Sequence, residues 1–294
     1  MKKKLLLFGA SGLFGINFIE KYKKFYSITA VIHNKNIDVS QIKKVKYSTK
    51  NDLKKIILSD NYDYILNAAA VTDINICEKN WSLANGVNFE LVKEIILELI
   101  ANSLNHILFI QISTDHYTFS GNSMKEDTVV RPINNYGKSK RNAEKYILKN
   151  YKNFLIIRTN FFGIGPSYRN SITDFIYNKA FKNEFVYLSN KIKFTPIYLE
   201  TLFNYLIFLI RNNINGLFHV GGKKKLTKYQ FGLLFCKINN LDSSYIIKKI
   251  SSDIVKKPIN MALDSRNIEK VTNIKLPTLE MDILRMINNS KLIK

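Results

Sequence analysis

The chain has 294 residues, 46% of them hydrophobic, enough for one large α/β domain or a main domain with a smaller lobe. Its net charge of +22 raises the question of nucleic acid, but only seven of the 45 basic residues are Arg and the Lys are dispersed, so solvated surface with a weak pull on phosphate-bearing small molecules is expected instead. No apolar run reaches membrane length, residues 1–8 are too short for a signal peptide, and Cys77, Cys236 and four scattered His match no metal spacing; a cytoplasmic protein without metal or membrane contact is expected.

Residues 4–8 form an apolar run, the expected first strand, ending in Gly9-Ala10-Ser11-Gly12-Leu13-Phe14-Gly15. Ile16, Phe18, Ile19 and Tyr22 then recur at helical spacing. Strand, glycine turn and helix in that order are the context of a dinucleotide fingerprint, here spaced Gly-x-x-Gly-x-x-Gly. Gly9 would permit the tight turn, Gly12 the approach of a pyrophosphate, and Gly15 the packing of helix on strand. Ser11 and Leu13 complete the candidate cradle, where the helix N-terminus offers N–H groups. The second strand, expected over 27–32, ends in His33-Asn34-Lys35. An acidic residue there would bind the adenosine ribose of NAD, a basic one the extra phosphate of NADP. No Asp or Glu precedes Asp38, so NADP(H) is expected ahead of NAD(H), although a plain surface loop would carry the same residues.

Residues 44–47 read as a third strand, and 52–58 as a helix capped by Asp52. A fourth strand over 62–67 runs into Ala68-Ala69-Ala70. Small residues there would let a nicotinamide ribose lie against the backbone, or would serve tight packing alone. A helix over about 82–102 follows, with Val87, Leu91, Ile95, Ile96 and Leu99 buried and Asn88 as a polar buttress. The fifth strand, 106–112, ends in Ser113-Thr114-Asp115, and ligands of open parallel sheets lie beyond such carboxyl ends. After a loop over 119–134 come Tyr136-Gly137-Lys138-Ser139-Lys140 and a helical stretch over 141–148. A Tyr and a Lys four apart share a helix face. The ammonium would stabilise the phenolate and bring a pKa of about 10 toward neutrality. In a Lys-rich chain with 16 Tyr that spacing alone would be solvated surface. What distinguishes it is the arrival of three segments, 9–15, 113–114 and 136–140, at one sheet edge. A sixth strand over 154–158 follows, and then the alternation loosens. Helices are expected over 169–181, 199–211, 226–238 (opened by Thr227) and 279–287, with extended pieces at 194–197 and 216–222.

These stretches make the chain similar to the extended short-chain dehydrogenases/reductases, and among them to the dTDP-4-dehydrorhamnose reductase family. The resemblance is carried by Gly9–Gly15, Asn67–Thr72, Ile112–Asp115, Pro132–Lys140, Arg158-Thr159, Phe194–Ile197 and Met261–Asp264. It implies an α/β fold, a Rossmann-type doubly wound parallel sheet with a smaller C-terminal substrate-binding lobe. Residues 1–163, with contributions from about 194–222, would form the NAD(P)-binding domain; 164–193 and 223–294 would hold the substrate. By the same resemblance Tyr136 donates a proton to a substrate carbonyl, Thr114 polarises that carbonyl, and Lys140 holds the nicotinamide ribose. The implied reaction is NAD(P)H-dependent reduction of a 4-keto-6-deoxy sugar nucleotide for a surface polysaccharide, by a monomer or homodimer. Three departures stand out. His116-Tyr117-Thr118 follows Asp115 where the family often has Tyr-Val-Phe, no Trp follows Arg158-Thr159, and Tyr47-Ser48-Thr49 replaces an Asp expected near the adenine. A sugar-nucleotide epimerase remains an alternative, whereas a dehydratase would need a Glu at the place of His116. A non-catalytic NADP-binding subunit, like the regulatory partner of methionine adenosyltransferase, is the other; an intact Thr114, Tyr136 and Lys140 argues against it.

Overall fold

Alternating short apolar strands and amphipathic helices build a parallel sheet. The computed structural model describes residues 1–33, 36–168, 170–249 and 254–291. Asn34, Lys35 and Arg169, the last expected to open a helix, lie outside the described residues. In chain order the sheet-forming part runs β1 (Lys4–Phe8), α1 (Leu13–Tyr22), β2 (Ser27–Ile32), β3 (Lys43–Lys46), α2 (Lys50–Ile57), β4 (Tyr64–Asn67), α3 (Ile74–Lys79), α4 (Trp81–Asn85), a π turn (Gly86–Glu90), α5 (Leu91–Ala101), β5 (Leu108–Ile112), α6 (Asn135–Asn150) and β6 (Phe154–Thr159). The remaining elements are β7 (Phe161–Phe162), α7 (Ile172–Phe181), β8 (Val186–Leu188), β9 (Lys193–Phe194), β10 (Ile197–Tyr198), α8 (Leu199–Arg211), β11 (Gly216–Val220), β12 (Leu226–Thr227), α9 (Lys228–Ile238), a 3-10 turn (Ser243–Tyr245), β13 (Ile246–Lys248), α10 (Arg266–Thr272) and α11 (Leu279–Lys291).

The seven-stranded sheet has the order β11-β6-β5-β4-β1-β2-β3, and the registers between β3 and β6 are all parallel. The order reverses at β1, which lies between β2 and β4, so the crevice of a doubly wound α/β fold opens at the carboxyl ends of β1 and β4. Residues of both parities are buried along the strands: Leu6, Phe8, Ile65 and Phe109 on one face, Leu5, Leu7, Leu66 and Ile110 on the other. The first face packs against Leu53, Ile56, Ile95, Leu99, Ala143 and Ile147 of α2, α5 and α6.

The chain divides into two compact units. One contains Met1–Ser113, Asn134–Ile157 and Asn215–Leu217; the other contains Thr114–Ile133, Arg158–Ile214 and Phe218–Lys294. Within the second, β7 pairs with β10, β8 with β13, and β9 with β12. Phe231 of α9 meets Phe162 and Phe194 with ring centroids 5.3 and 6.0 Å away. Asp282 of α11 is buried and accepts the Tyr198 N–H at 3.1 Å and the Thr201 hydroxyl at 2.6 Å. It thereby ties the start of α8, which has no capping side chain of its own, to α11.

Several boundaries differ from expectation for local reasons. Thr49, not Asp52, caps α2; Asp52 sits three residues on and closes a capping box. Residues 226–227 pair as a strand, and α9 starts at Lys228 behind its cap Thr227. The long helix expected over 82–102 is interrupted by the π turn, and α3 precedes it. Among the described residues no helix is long and apolar enough to cross a membrane.

Candidate active site

Gly9 ends β1 with φ +78°, a left-handed value that side chains rarely tolerate. A Cβ there would stand 2.5 Å from the Ala69 nitrogen and 2.6 Å from the Ala68 carbonyl carbon, so the turn presses directly on the end of β4. A Cβ on Gly15 would overlap the Gly9 carbonyl and Ala10, which means that α1 packs on the turn itself. The Gly12 N–H donates to the Gly9 carbonyl at 3.0 Å, and α1 opens at Gly12 without a side-chain cap. A tight glycine turn feeding an uncapped helix N-terminus fits a dinucleotide pyrophosphate. Ser11 and Leu13 are half-buried in this turn, and Ala68, Ala69 and Ala70 half-buried just past β4. His33 lies exposed at the end of β2, where its Nδ1 donates to the Tyr47 carbonyl at 2.7 Å.

Asn134 accepts the Gly137 N–H at 2.9 Å and so starts α6 at Asn135. Tyr136, half-buried, and Lys140, buried, are therefore one helical turn apart. Lys140 Nζ donates to the carbonyl of Ile112, the last residue of β5, at 2.8 Å. The same carbonyl accepts Gln111 Nε2 at 2.8 Å, and Gln111 Oε1 accepts Asn67 Nδ2 at 2.9 Å. Asn67 Oδ1 in turn accepts the Ala69 N–H at 3.1 Å. One chain of hydrogen bonds thus joins the backbone beside the glycine turn to Lys140. Burial lowers Lys140 to about 8, while the negative charge of Glu144 pulls the other way.

Asn88 sits in the π turn, buried, and both ends of its amide are used. Oδ1 accepts the Val71 N–H at 2.8 Å, and Nδ2 donates to the Val71 carbonyl at 3.1 Å and to Ser139 Oγ at 3.0 Å. Ser139 Oγ donates onward to the Tyr136 carbonyl at 2.9 Å. The extra residue of a π turn moves Asn88 out of the regular helical register, and such turns recur at functional sites. Helical periodicity alone pointed to Asn88 as a buttress; it carried no sign of the π turn or of the link to Tyr136. Gln111 and Glu144 were also missed, because their only sequence signal is a polar residue inside an otherwise apolar element.

Ser113 turns its hydroxyl inward, donating to Glu144 Oε1 at 2.6 Å. Thr114 opens the second unit. It is buried, and its Oγ1 accepts the His116 N–H at 3.1 Å, which leaves its own hydroxyl hydrogen to be donated. Asp115 Oδ2 accepts Asn160 Nδ2 at 2.8 Å, and burial raises the carboxyl to about 7. Burial first, then the Lys228 and Lys257 cations, hold His116 down at about 4.

The sequence profile of the RmlD substrate binding domain matches residues 3–292. The probable low-salt glycan biosynthesis reductase Agl14 of Haloferax volcanii is 27% identical over 244 residues, which cover 79% of this chain and 80% of that protein. Methionine adenosyltransferase 2 subunit beta of Xenopus laevis is 26% identical over 231 residues, covering 74% and 68%. Among solved structures, dTDP-4-dehydrorhamnose reductase from Bacillus anthracis in complex with NADP superposes with a TM-score of 0.83 at 19% identity, covering 98% of this chain and 99% of that one.

Proposed function

The chain belongs to the RmlD substrate binding domain family, and from that premise we propose that it reduces a 4-keto-6-deoxy sugar nucleotide with NAD(P)H in the biosynthesis of a surface polysaccharide. The observation that carries this reading is Lys140, a buried ammonium one turn from Tyr136 and bonded to the end of β5. A bound nicotinamide supplies hydride to the carbonyl carbon. Tyr136 gives its phenolic proton to the carbonyl oxygen as negative charge builds there. Lys140, with its value near 8, is largely charged at neutral pH and stabilises the phenolate left behind. Thr114 donates its hydroxyl hydrogen to the same oxygen. Gly9, Ser11, Gly12, Leu13 and Gly15 hold the pyrophosphate, and Ala68–Ala70 leave room for the nicotinamide ribose. His33, Asn34 and Lys35 favour the phosphate of NADP(H) over NAD(H), in keeping with the NADP held by the Bacillus anthracis reductase. Similarity to a methionine adenosyltransferase subunit supports a second reading, a cofactor-binding partner without turnover.

The test follows NADPH and NADH absorbance with a panel of nucleotide-linked 4-keto-6-deoxy sugars. Oxidation with one of them, reduced about 10²-fold or more in Tyr136→Phe with cofactor affinity kept, is the expected result. Cofactor binding without oxidation by any member refutes the reductase and favours the subunit. Tightly held cofactor that is recycled without net oxidation would instead identify an epimerase.

A further inference from the structure

Glu144 stands one helical turn beyond Lys140 on α6, with no solvent exposure at all. A buried carboxylate has to be paired, and here both oxygens are: Oε1 accepts the Ser113 hydroxyl at 2.6 Å, and Oε2 accepts Arg141 Nη1 at 2.9 Å. Ser113 directly follows Ile112, whose carbonyl receives Lys140 Nζ. Two side chains a turn apart therefore grip two consecutive residues at the end of β5. We propose that Glu144 is a positioning residue of the site: through Ser113 it clamps the end of β5 to α6, and it sets a buried negative charge one helical turn from Lys140. The catalytic consequence rests on the reductase reading above; the coupling of Glu144 to Lys140 does not.

The charges around α6 favour this assignment. On the packed elements, Glu78 of α3 accepts the Asn135 N–H at 2.9 Å, Glu90 of the π turn pairs with Lys93 at 3.4 Å, and Glu98 of α5 accepts Asn102 Nδ2 at 3.1 Å. Lys79 of α3 and Glu94 of α5 are the other charged side chains on those elements. Cys77 of α3 is a neutral thiol, raised to about 11 by burial, that donates to the Val71 carbonyl. On α6 itself Arg141 pairs with Glu144, and Tyr136 is the group to be served. The charge that favours the ammonium of Lys140 against its burial is that of Glu144. Without it, a wholly buried amine would shed its proton closer to neutrality, and Tyr136 would face an uncharged partner.

The test titrates Lys140 in the cofactor-free protein by carbon-13 NMR of the lysine ε-carbons, with the resonance identified by its absence in Lys140→Met. Glu144→Gln is expected to lower the titration midpoint by about one pH unit or more. Ser113→Ala, which loses the hydrogen bond and keeps the charge, should leave the midpoint close to wild type. Arg141→Met, on the partly exposed side of the pair, should raise it, because the carboxylate is then less neutralised. In turnover assays the alkaline limb of kcat/KM should move with the midpoint in each variant. A midpoint unmoved in both Glu144→Gln and Arg141→Met overturns the proposal and leaves a structural brace; if Glu144→Gln does not fold, Arg141→Met decides alone. Shifted midpoints in a protein that oxidises no NADPH would keep the coupling and sink the reductase.

Discussion

At the scale of single residues, the ionisable groups near the end of β5 differ in what burial does to them. Lys140 is lowered to about 8 yet keeps a carboxylate neighbour and a carbonyl acceptor, so it can remain charged where a cation is useful. Asp115 is raised to about 7 by burial, with an Asn160 amide as its hydrogen-bond partner. The sign of its effect on stability follows from proton linkage. Between its unfolded value near 4 and its folded value near 7, the folded state holds the proton and the unfolded state has lost it. Asp115 therefore contributes stability that is fully present below about pH 4 and is lost as the pH rises through 7. Asp115→Asn should flatten that part of the stability profile and gain on wild type above pH 7, measured by urea unfolding at a series of pH values. A parallel offset between the two profiles across pH 4–7 would refute the assignment. The Tyr136–Lys140 pair was legible because four-residue spacing on a helix is a local property. The inward turn of Ser113 was not, because its partner Glu144 lies 31 residues away.

At the scale of elements, periodicity located most strands and helices, and the misses have physical causes. The interruption of the long helix at Gly86–Glu90 leaves hydrophobic spacing nearly intact, so only the backbone pairing reveals it: the Leu91 N–H reaches the Gly86 carbonyl, five residues back. Asp52 reads as the cap of α2 because Asp is a good cap, while Thr49 three residues earlier is the cap and Asp52 completes the reciprocal box. The N-terminus of α8 has no capping side chain of its own, and Asp282 of α11 holds it in place through the Tyr198 N–H and the Thr201 hydroxyl. Removing that carboxylate leaves the Tyr198 N–H and the Thr201 hydroxyl without their acceptor. Asp282→Ala should cost about 3 kcal/mol, seen as a lower midpoint in denaturant with an unchanged slope. A loss within experimental error would show that water or a neighbouring group replaces the carboxylate.

At the scale of the whole molecule, the net charge of +22 acts on association rather than on fold. A substrate bearing phosphates would be drawn in at low salt, and that attraction fades as the Debye length falls from about 10 Å at 0.1 M to about 3 Å at 1 M. For the sugar-nucleotide substrate found in the panel, KM should rise roughly several-fold over that range while kcat holds. A KM indifferent to salt would place the lysines outside any steering role. Local chemistry can be read along the chain: the strand-turn-helix around Gly9–Gly15, the Tyr136–Lys140 spacing, the alternation that predicts a parallel sheet, and the resemblance those motifs carry. These are legible because turn conformation and helical or extended periodicity are set by neighbours in sequence. Folding in three dimensions is what gives Lys140 the carbonyl of Ile112, Glu144 the hydroxyl of Ser113, and Asn88 its bond to Ser139 across 51 residues. Each of these bonds satisfies a buried polar group, and a buried polar group has to find a partner. Which partner it finds depends on strand order and helix packing, which bring together residues that no local pattern connects.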